Sequence, residues 1–247
     1  MTSAKYNGPP SPNKAPVDPA VRLARVLARI QAAEAQSGRP AGSVTLVAVS
    51  KAQPVEMVRA AAAAGQRAFG ENYLREALAK MDALSGLALE WHFIGRLQSN
   101  KTRLIAERFA WVHSVDRLKT AEGLSHHRPD AAPPMNVCLQ VNVSGEASKG
   151  GVDPGGLIGL AREVSALPRL RLRGIMAVPA PEADAALQRA RFARVRALSD
   201  SVRAAGIHLD TLSMGMSADL EAAIAEGATM VRVGTDIFGP RPLPNPA

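Results

Sequence analysis

Eight short apolar runs alternate with segments of helical spacing along most of this 247-residue chain. The runs lie at 45–51, 67–71, 89–95, 111–115, 136–143, 170–178, 211–215 and 230–234. The helical candidates lie at 54–64, 72–84, 100–109, 117–127, 154–167, 182–205 and 217–226. Many runs are apolar throughout, which is typical of strands buried on both faces of a parallel sheet. Eight such strands with intervening helices predict an α/β fold, a single closed (β/α)8 TIM-type barrel.

An open doubly wound sheet is the alternative architecture for this alternation. Its dinucleotide-binding form carries a Gly-x-Gly-x-x-Gly turn after the first strand, and none follows residues 45–51. No break in composition indicates a second domain.

The residues near the two ends of the sequence predict the boundaries of the barrel domain. Asp18 and Pro19 predict the start of an extra N-terminal helix before the barrel, because aspartate caps helices well and proline suits the first helical position. Residues 1–17 hold several prolines among small polar residues, a composition typical of disorder. We therefore expect a disordered tail at 1–17, the barrel at 18–241 and a C-terminal tail at 242–247.

Composition excludes several classes of function. The net charge is +8, but the arginines are spread over helical segments and only 4% of residues are aromatic, so we expect no specific nucleic-acid partner. No long apolar run and no apolar leader is present, which predicts a cytoplasmic protein with no membrane association. Cys138 is the single cysteine and His126-His127 lacks zinc-ligand spacing, so we expect no metal site.

Lys51 ends the first apolar run, 45–51. Barrel proteins place their sites at the carboxyl ends of the strands. Burial lowers the pKa of an amine, and a neutral amine is a nucleophile able to form a Schiff base. Taken alone, Lys51 favours a lysine whose amine simply reaches solvent, and the loops described next reverse this preference.

The loops after the seventh and eighth strands carry hydroxyls beside glycines, in Ser213-Met214-Gly215 and in Gly234-Thr235. Barrels often hold a phosphate at these two loops. Glycine lets backbone N–H groups approach an anion, and hydroxyls add donors. Ser217 is expected to cap the next helix. An ordinary turn remains the alternative for Gly234-Thr235.

Arg232 alternates with two valines along the eighth strand, which points its side chain into the barrel. A lysine, a phosphate cradle and an arginine between them suit a ligand with an aldehyde, a phosphate and a ring acceptor. Pyridoxal 5′-phosphate (PLP) has these three groups. Arg232 would donate to the pyridine nitrogen and keep it unprotonated, which weakens the ring as an electron sink. A barrel-interior ion pair with Glu71 or Asp116 is the alternative for Arg232.

Several motifs occur in an order that resembles the pyridoxal phosphate homeostasis protein family, itself similar to the barrel domain of alanine racemase, a fold-type III PLP barrel. The motifs are Ala48-Val49-Ser50-Lys51, Phe69-Gly70-Glu71-Asn72-Tyr73, residues 92–101 (HFIGRLQSNK), Ser213-Met214-Gly215-Met216-Ser217 and residues 231–239 (VRVGTDIFG). This chain has Ala52 after the lysine, where many members have threonine.

The resemblance implies a cofactor, PLP, held as a Schiff base on Lys51. It also implies phosphate contacts around Ser213, Met214, Gly234 and Thr235, and Arg232 facing the pyridine nitrogen. It implies Asn72 near the ring and Met176 on the barrel wall beside it.

The resemblance further implies a function in PLP (vitamin B6) homeostasis, without robust catalysis and with no assigned catalytic residues. A two-base racemase needs a second acid/base, which alanine racemase takes from a domain that we expect to be absent here. The tyrosines are Tyr6, in the tail, and Tyr73, for which we expect a packing role. The alternative is a PLP-dependent racemase or decarboxylase.

A third possibility is a phosphate-ligand or nucleic-acid binder driven by the basic charge. We expect a monomer that exchanges PLP with PLP-dependent apo-enzymes. Lys149, in the polar loop after the fifth strand, is expected to be solvated, with a second PLP contact as a weaker hypothesis.

Overall fold

A computed structural model describes residues 18–145, 150–180 and 182–240. Eight parallel strands close into a barrel in sequence order, with β1 paired to both β2 and β8. The strands are β1 (Thr45–Val49), β2 (Ala68–Glu71), β3 (Glu90–Phe93), β4 (Trp111–Val115), β5 (Met135–Gln140), β6 (Leu170–Met176), β7 (Thr211–Ser213) and β8 (Met230–Val233). The predicted (β/α)8 barrel is confirmed.

The helices of the described residues surround the barrel. They are α1 (Pro19–Gln36), α2 (Val55–Ala63), α3 (Leu74–Ala83), α4 (Thr102–Arg108), α5 (Leu118–His127), α6 (Leu157–Ser165), α7 (Ala185–Ala204), α8 (Leu220–Ala225) and α9 (Thr235–Phe238). The extra helix α1 begins as predicted, because the Asp18 side chain accepts a hydrogen bond from the Ala20 N–H. It packs against α8 and α9 and so supports the loops after β7 and β8. No helix within the described ranges is long and apolar enough to cross a bilayer.

Two apolar layers hold the barrel together. The larger layer lies between the strands and the helices, and it includes Phe69, Phe93 and Leu139. The smaller layer fills the interior of the barrel with Val47, Ala68, Trp111, Cys138, Met176 and Met230. Because both faces of the strands are covered, the continuous apolar runs seen in the sequence are explained.

The clearest difference from the sequence prediction lies between β7 and β8. The helix expected at 217–226 begins only at Leu220, and its N-cap residue is Asp219 rather than Ser217. The Asp219 side chain turns back to accept a hydrogen bond from the Met216 N–H at 2.6 Å. This bond shapes a loop where a helical turn was predicted, and it leaves Ser217 at the mouth of the barrel. The predicted tails at 1–17 and 242–247 lie outside the described residues.

Candidate cofactor-binding site

A cavity opens where the carboxyl ends of the strands meet. Its volume is about 410 Å³, within the roughly 300–1,000 Å³ typical of small-molecule sites. Six of the eight predicted site residues line it: Lys51, Asn72, Met176, Arg232, Gly234 and Thr235. The other lining residues are Val49, Gln53, Ile94, Val178, Met216, Ser217, Ala218 and Gly239.

Lys51 lies half-buried in the cavity wall, two residues beyond the end of β1. A tight turn follows, closed by the Gln53 N–H donating to the Ser50 carbonyl at 3.1 Å. Within it Ala52 has a φ of 58°, in the left-handed region that residues other than glycine rarely adopt. The Ala52 N–H donates to Glu76 Oε1 at 2.6 Å. The turn therefore bends the chain away directly after Lys51 and is fixed by a side chain of α3.

A buried ion pair supports this turn from below. Lys80 Nζ donates to Glu71 Oε1 at 2.7 Å and to the Ser50 carbonyl at 2.6 Å. The Ser50 hydroxyl donates to the same Glu71 oxygen at 2.6 Å. Burial raises the pKa of Glu71, although its contacts with Lys80 act in the opposite direction. The backbone next to Lys51 is thus held by charged groups that are themselves out of reach of solvent.

Asn72 presents an unused polar atom to the cavity. Its Oδ1 is buried and has no hydrogen-bond partner among the described residues. A buried polar atom left unpaired costs roughly 1–3 kcal/mol. Gly95 packs so closely on the Asn72 backbone that a Cβ at this position would collide with the Asn72 carbonyl. The backbone of Asn72 is therefore held in place, and the side-chain Oδ1 fits a ligand that donates the missing hydrogen bond.

Arg232 lies at the floor of the cavity and is almost wholly buried. One terminal nitrogen donates to Ser213 Oγ at 2.6 Å and the other to the Ala177 carbonyl at 2.9 Å. Burial lowers the pKa of Arg232 to about 10, so the guanidinium is still a cation at neutral pH. The alternative ion pairs are not formed within the described part of the chain: Glu71 bonds to Lys80, and Asp116 bonds to Arg117.

The rim of the cavity that follows β7 and β8 combines hydroxyls with a close-packed glycine. Ser217 and Thr235 line it beside Gly234. A Cβ at Gly234 would lie 3.0 Å from the Val49 carbonyl oxygen, so a side chain there would press on the end of β1. Hydroxyl donors and exposed glycine backbone are the groups that suit a phosphate.

Two predicted site residues lie away from the cavity lining. Ser213 is one layer below, fully buried and bonded to Arg232. Met214 is buried in the layer between the strands and the helices, and its N–H donates to the Met230 carbonyl at 3.1 Å. Ser213 reaches the cavity only through Arg232, and direct cofactor contacts by these two residues stay predictions.

Other residues singled out in the sequence lie elsewhere. Tyr73 is 58% exposed, which contradicts the packing role expected for it. His126 and His127 occupy the last turn of α5, and no group of side chains in the described ranges could hold a metal ion. Lys149 lies outside the described residues.

Sequence reasoning did not identify Gln53, Ile94 and Met216 as cavity residues. Ile94 directly follows β3, and Gln53 closes the turn that contains Lys51. Their positions just after a strand were the signal that could have identified them. It also assigned no role to His92 and His113, which lie inside the barrel. Polar residues within apolar strands were the signal for both.

Comparison with known proteins gives matches that cover most of the chain. The family described as "Alanine racemase, N-terminal domain" matches residues 21–242. The pyridoxal phosphate homeostasis protein of Pseudomonas aeruginosa is 59% identical over 228 residues, which cover 92% of this chain and 98% of the relative. The Escherichia coli K12 protein of the same name is 49% identical, covering 91% and 97% respectively.

Solved structures agree with this result. PipY of Synechococcus elongatus, solved with PLP bound, has a TM-score of 0.78 and 41% identity, covering 90% of this chain and all of PipY. An alanine racemase of Clostridium difficile shares the fold at 14% identity and a TM-score of 0.74. The match covers 94% of this chain and 61% of the racemase. By sequence and by fold, therefore, the chain belongs to the alanine racemase N-terminal domain family and, within it, to the pyridoxal phosphate homeostasis proteins.

Proposed function

We propose that this protein binds PLP in the cavity at the carboxyl ends of the strands, holds it as a Schiff base on Lys51, and serves intracellular PLP homeostasis. One observation carries the proposal: a single cavity places Lys51, the buried cation of Arg232 and the Gly234-Thr235 rim around one ligand-sized volume. PipY, which is 41% identical to this chain, was solved with PLP bound.

Each group of PLP has a counterpart in this cavity. When bound, PLP supplies an aldehyde that condenses with an amine, with loss of water, and a ring that withdraws electrons. Lys51 supplies the amine, and Ser217, Thr235 and Gly234 supply the surroundings of the phosphate. Asn72 offers the ring substituents its Oδ1, which has no hydrogen-bond partner among the described residues.

Arg232 favours holding the cofactor over using it. Its guanidinium donates hydrogen bonds and accepts none, so toward a ring nitrogen it acts as a donor that keeps that nitrogen unprotonated. An unprotonated ring is a weaker electron sink. Among the described lining residues, Lys51 and Arg232 are the ionisable ones, so the cavity supplies no carboxylate, histidine or tyrosine as a second acid/base. These features support a carrier.

The decisive experiment is an absorbance titration with PLP. We expect a visible band in the wild-type protein that is absent in Lys51→Ala and retained in Lys119→Ala, an exposed lysine on α5. Borohydride reduction followed by peptide mass spectrometry should place the adduct on Lys51. A band and adduct that persist in Lys51→Ala would overturn the proposal, and the absence of an adduct at Lys149 would remove the second-contact hypothesis.

The racemase or decarboxylase alternative is separated by isotope exchange. We expect no rapid exchange of the α-proton in deuterated water for a panel of free amino acids. Rapid exchange with any of them would establish an enzyme. Binding that weakens steeply with salt and shows no band would instead favour the phosphate or nucleic-acid binder.

We also propose a cytoplasmic monomer that exchanges PLP with PLP-dependent apo-enzymes. The single buried cysteine, Cys138, suits a reducing compartment. Light scattering should give the mass of one chain. Transfer of PLP to an apo-enzyme should exceed the rate of release into buffer.

A further inference from the structure

A continuous line of hydrogen bonds runs through the interior of the barrel, below the cavity. From Arg232 it passes to Ser213 Oγ at 2.6 Å, and from Ser213 Oγ to His113 Nδ1 at 2.8 Å. It continues from His113 Nε2 to His92 Nδ1 at 2.9 Å and from His92 Nε2 to Glu90 Oε1 at 2.9 Å. We call these five residues the polar column.

The two ends of the column lie at opposite mouths of the barrel. Arg232 lines the cavity. Glu90 is the first residue of β3, so it lies at the amino ends of the strands, and its side chain is 47% exposed. The three residues between them, Ser213, His113 and His92, are fully buried. The cavity is therefore connected to the far mouth by groups that water does not reach.

The chemistry of the ends fixes the direction of every bond. The Glu90 carboxylate can only accept, so a neutral His92 donates to it from Nε2 and accepts at Nδ1, and a neutral His113 in turn accepts the hydroxyl proton of Ser213 at Nδ1. Arg232 can only donate, so Ser213 Oγ also accepts its bond. His113 then carries its proton on Nε2 and donates to His92 Nδ1, and His92 donates from Nε2 to the Glu90 carboxylate. Both histidines are neutral in this arrangement, and both have the proton on Nε2. Reversing any one bond would leave two donors or two acceptors facing each other.

Packing holds the column in this arrangement. The indole of Trp111 stacks on the His92 ring, with centroids 5.5 Å apart and planes within 7°. The Arg173 guanidinium lies 5.0 Å from the centre of Trp111 and forms an ion pair with Asp210. Besides its bond to Ser213, the Arg232 guanidinium donates a hydrogen bond to the backbone carbonyl of Ala177. Ser213 is accordingly the side chain that orients Arg232.

We propose that the polar column is a positioning device, in which Ser213, His113 and His92 fix the direction of the Arg232 guanidinium and tie it to Glu90 at the opposite mouth. This inference rests on the proposed function, because it gives Arg232 a defined orientation toward the ring of PLP. Ser213, His113 and His92 act through Arg232 and are positioning residues, not catalytic ones.

The arrangement of protons can be tested without PLP. Long-range ¹⁵N NMR on the PLP-free protein at neutral pH should show His92 and His113 neutral with the proton on Nε2. The other histidines, His126, His127 and His208, serve as internal references. A proton on Nδ1 of either buried ring, or a charged ring, would overturn the column.

The link to Glu90 is tested by a variant. In Glu90→Ala we expect His92 to lose this single tautomer, while Glu122→Ala, on the exposed surface of α5, leaves it unchanged. Unchanged His92 signals in Glu90→Ala would refute the link to the far mouth.

The effect on Arg232 can be tested by PLP binding. Ser213→Ala removes one hydrogen bond to a charged group, so we expect PLP to bind at least about tenfold more weakly. The absorbance band of bound PLP should also shift, and Ser213→Thr, which keeps the hydroxyl, should restore band and affinity. Thermal unfolding of each variant checks the fold, and the NMR test on the wild-type protein stands if a variant does not fold.

The outcomes separate this inference from the proposed function. If the wild-type protein gives no Lys51-dependent band, the proposed function fails while NMR still decides the column. If the band is present but Ser213→Ala binds PLP within twofold of wild type with an unchanged spectrum, the positioning role is overturned and the proposed function stands.

Discussion

Lys80 donates a hydrogen bond from Nζ to the backbone carbonyl of Ser50, the residue directly before Lys51, at 2.6 Å. The same nitrogen pairs with Glu71 at 2.7 Å and with Glu76 at 2.5 Å. A buried charge from α3 thus holds the end of β1. The position of Lys51 therefore depends on a second lysine that does not line the cavity.

Lys80→Met should destabilise the protein strongly. It leaves the Glu71 carboxyl buried without its partner, and breaking a buried ion pair typically costs about 3–5 kcal/mol. Urea unfolding measures the change in free energy of unfolding. The double variant Lys80→Met with Glu71→Gln should lose less than Lys80→Met alone, because no unpaired charge remains. Equal losses would show that the ion pair is not the source of the effect.

Gly95→Ala should displace Asn72. The added Cβ meets the Asn72 backbone, and overpacking of this kind costs about 1–3 kcal/mol. We expect a lower melting temperature together with weaker PLP binding. Gly86→Ala is the matched control, since a Cβ there meets nothing within 4 Å. If Gly95→Ala behaved like the control, the close packing would be without consequence.

Arg232→Lys should not preserve the site. An ammonium cannot reproduce the planar fork that bonds both Ser213 and the Ala177 carbonyl. Losing one bond to a charged group should weaken PLP binding about tenfold or more, as measured by fluorescence titration. Arg103→Lys, on the exposed surface of α4, is the control. Retention of full affinity in Arg232→Lys would argue that only its charge matters.

Stability should fall in mild acid. Burial lowers the pKa of His92 and holds the pKa of His113 well below its ordinary value. The unfolded chain binds protons near the usual histidine pKa of about 6.5, and the native state does not. The stability contributed by these rings is therefore complete above about pH 6.5 and is lost as the pH falls below it.

This pH dependence has its own variant test. Around His92 the facing polar groups are Glu90 and His113, and around His113 they are His92, Ser213 and Arg232. His113→Asn removes one of the two buried imidazoles. Urea unfolding between about pH 7.5 and 5.5 should therefore show a shallower decline in this variant, by up to about 1.4 kcal/mol per pH unit. Parallel curves for variant and wild type would contradict the assignment.

Cys138 should be inert in the folded protein. It lies inside the barrel, and burial raises the pKa of its thiol to about 12. The reactive form of cysteine is the thiolate, so an aromatic disulfide reagent at about pH 8 should label it only after denaturation. Labelling at the rate of an exposed thiol would mean that the barrel opens under native conditions.

The alternation of apolar runs was enough to predict the barrel, because burial of strands on both faces leaves a direct compositional signal. It also placed Lys51 and Arg232 at one mouth, since parallel strands end together, whereas Asn72 and Met176 were assigned to the site by the family resemblance. The Asp219 turn was missed because a side chain folding back on its own loop has no periodicity.

The polar column was equally hidden from sequence reasoning. His92 and Ser213 belong to strands that are distant in sequence, and only closure of the barrel brings their side chains into line through His113. Local patterns describe the strands but not which interior side chains meet. The same holds for the support that Lys80 gives to the Ser50 carbonyl, which joins residues 30 positions apart.

Closure of the barrel also affects the concentration that this protein can reach in a cell. Each strand has two neighbours, with β8 paired back to β1, so no strand of the barrel offers a free edge to another molecule. A protein that stores PLP in the proposed way holds one ligand per chain, and its capacity grows only with the number of chains. A ring without edges allows that number to rise without strand-to-strand aggregation.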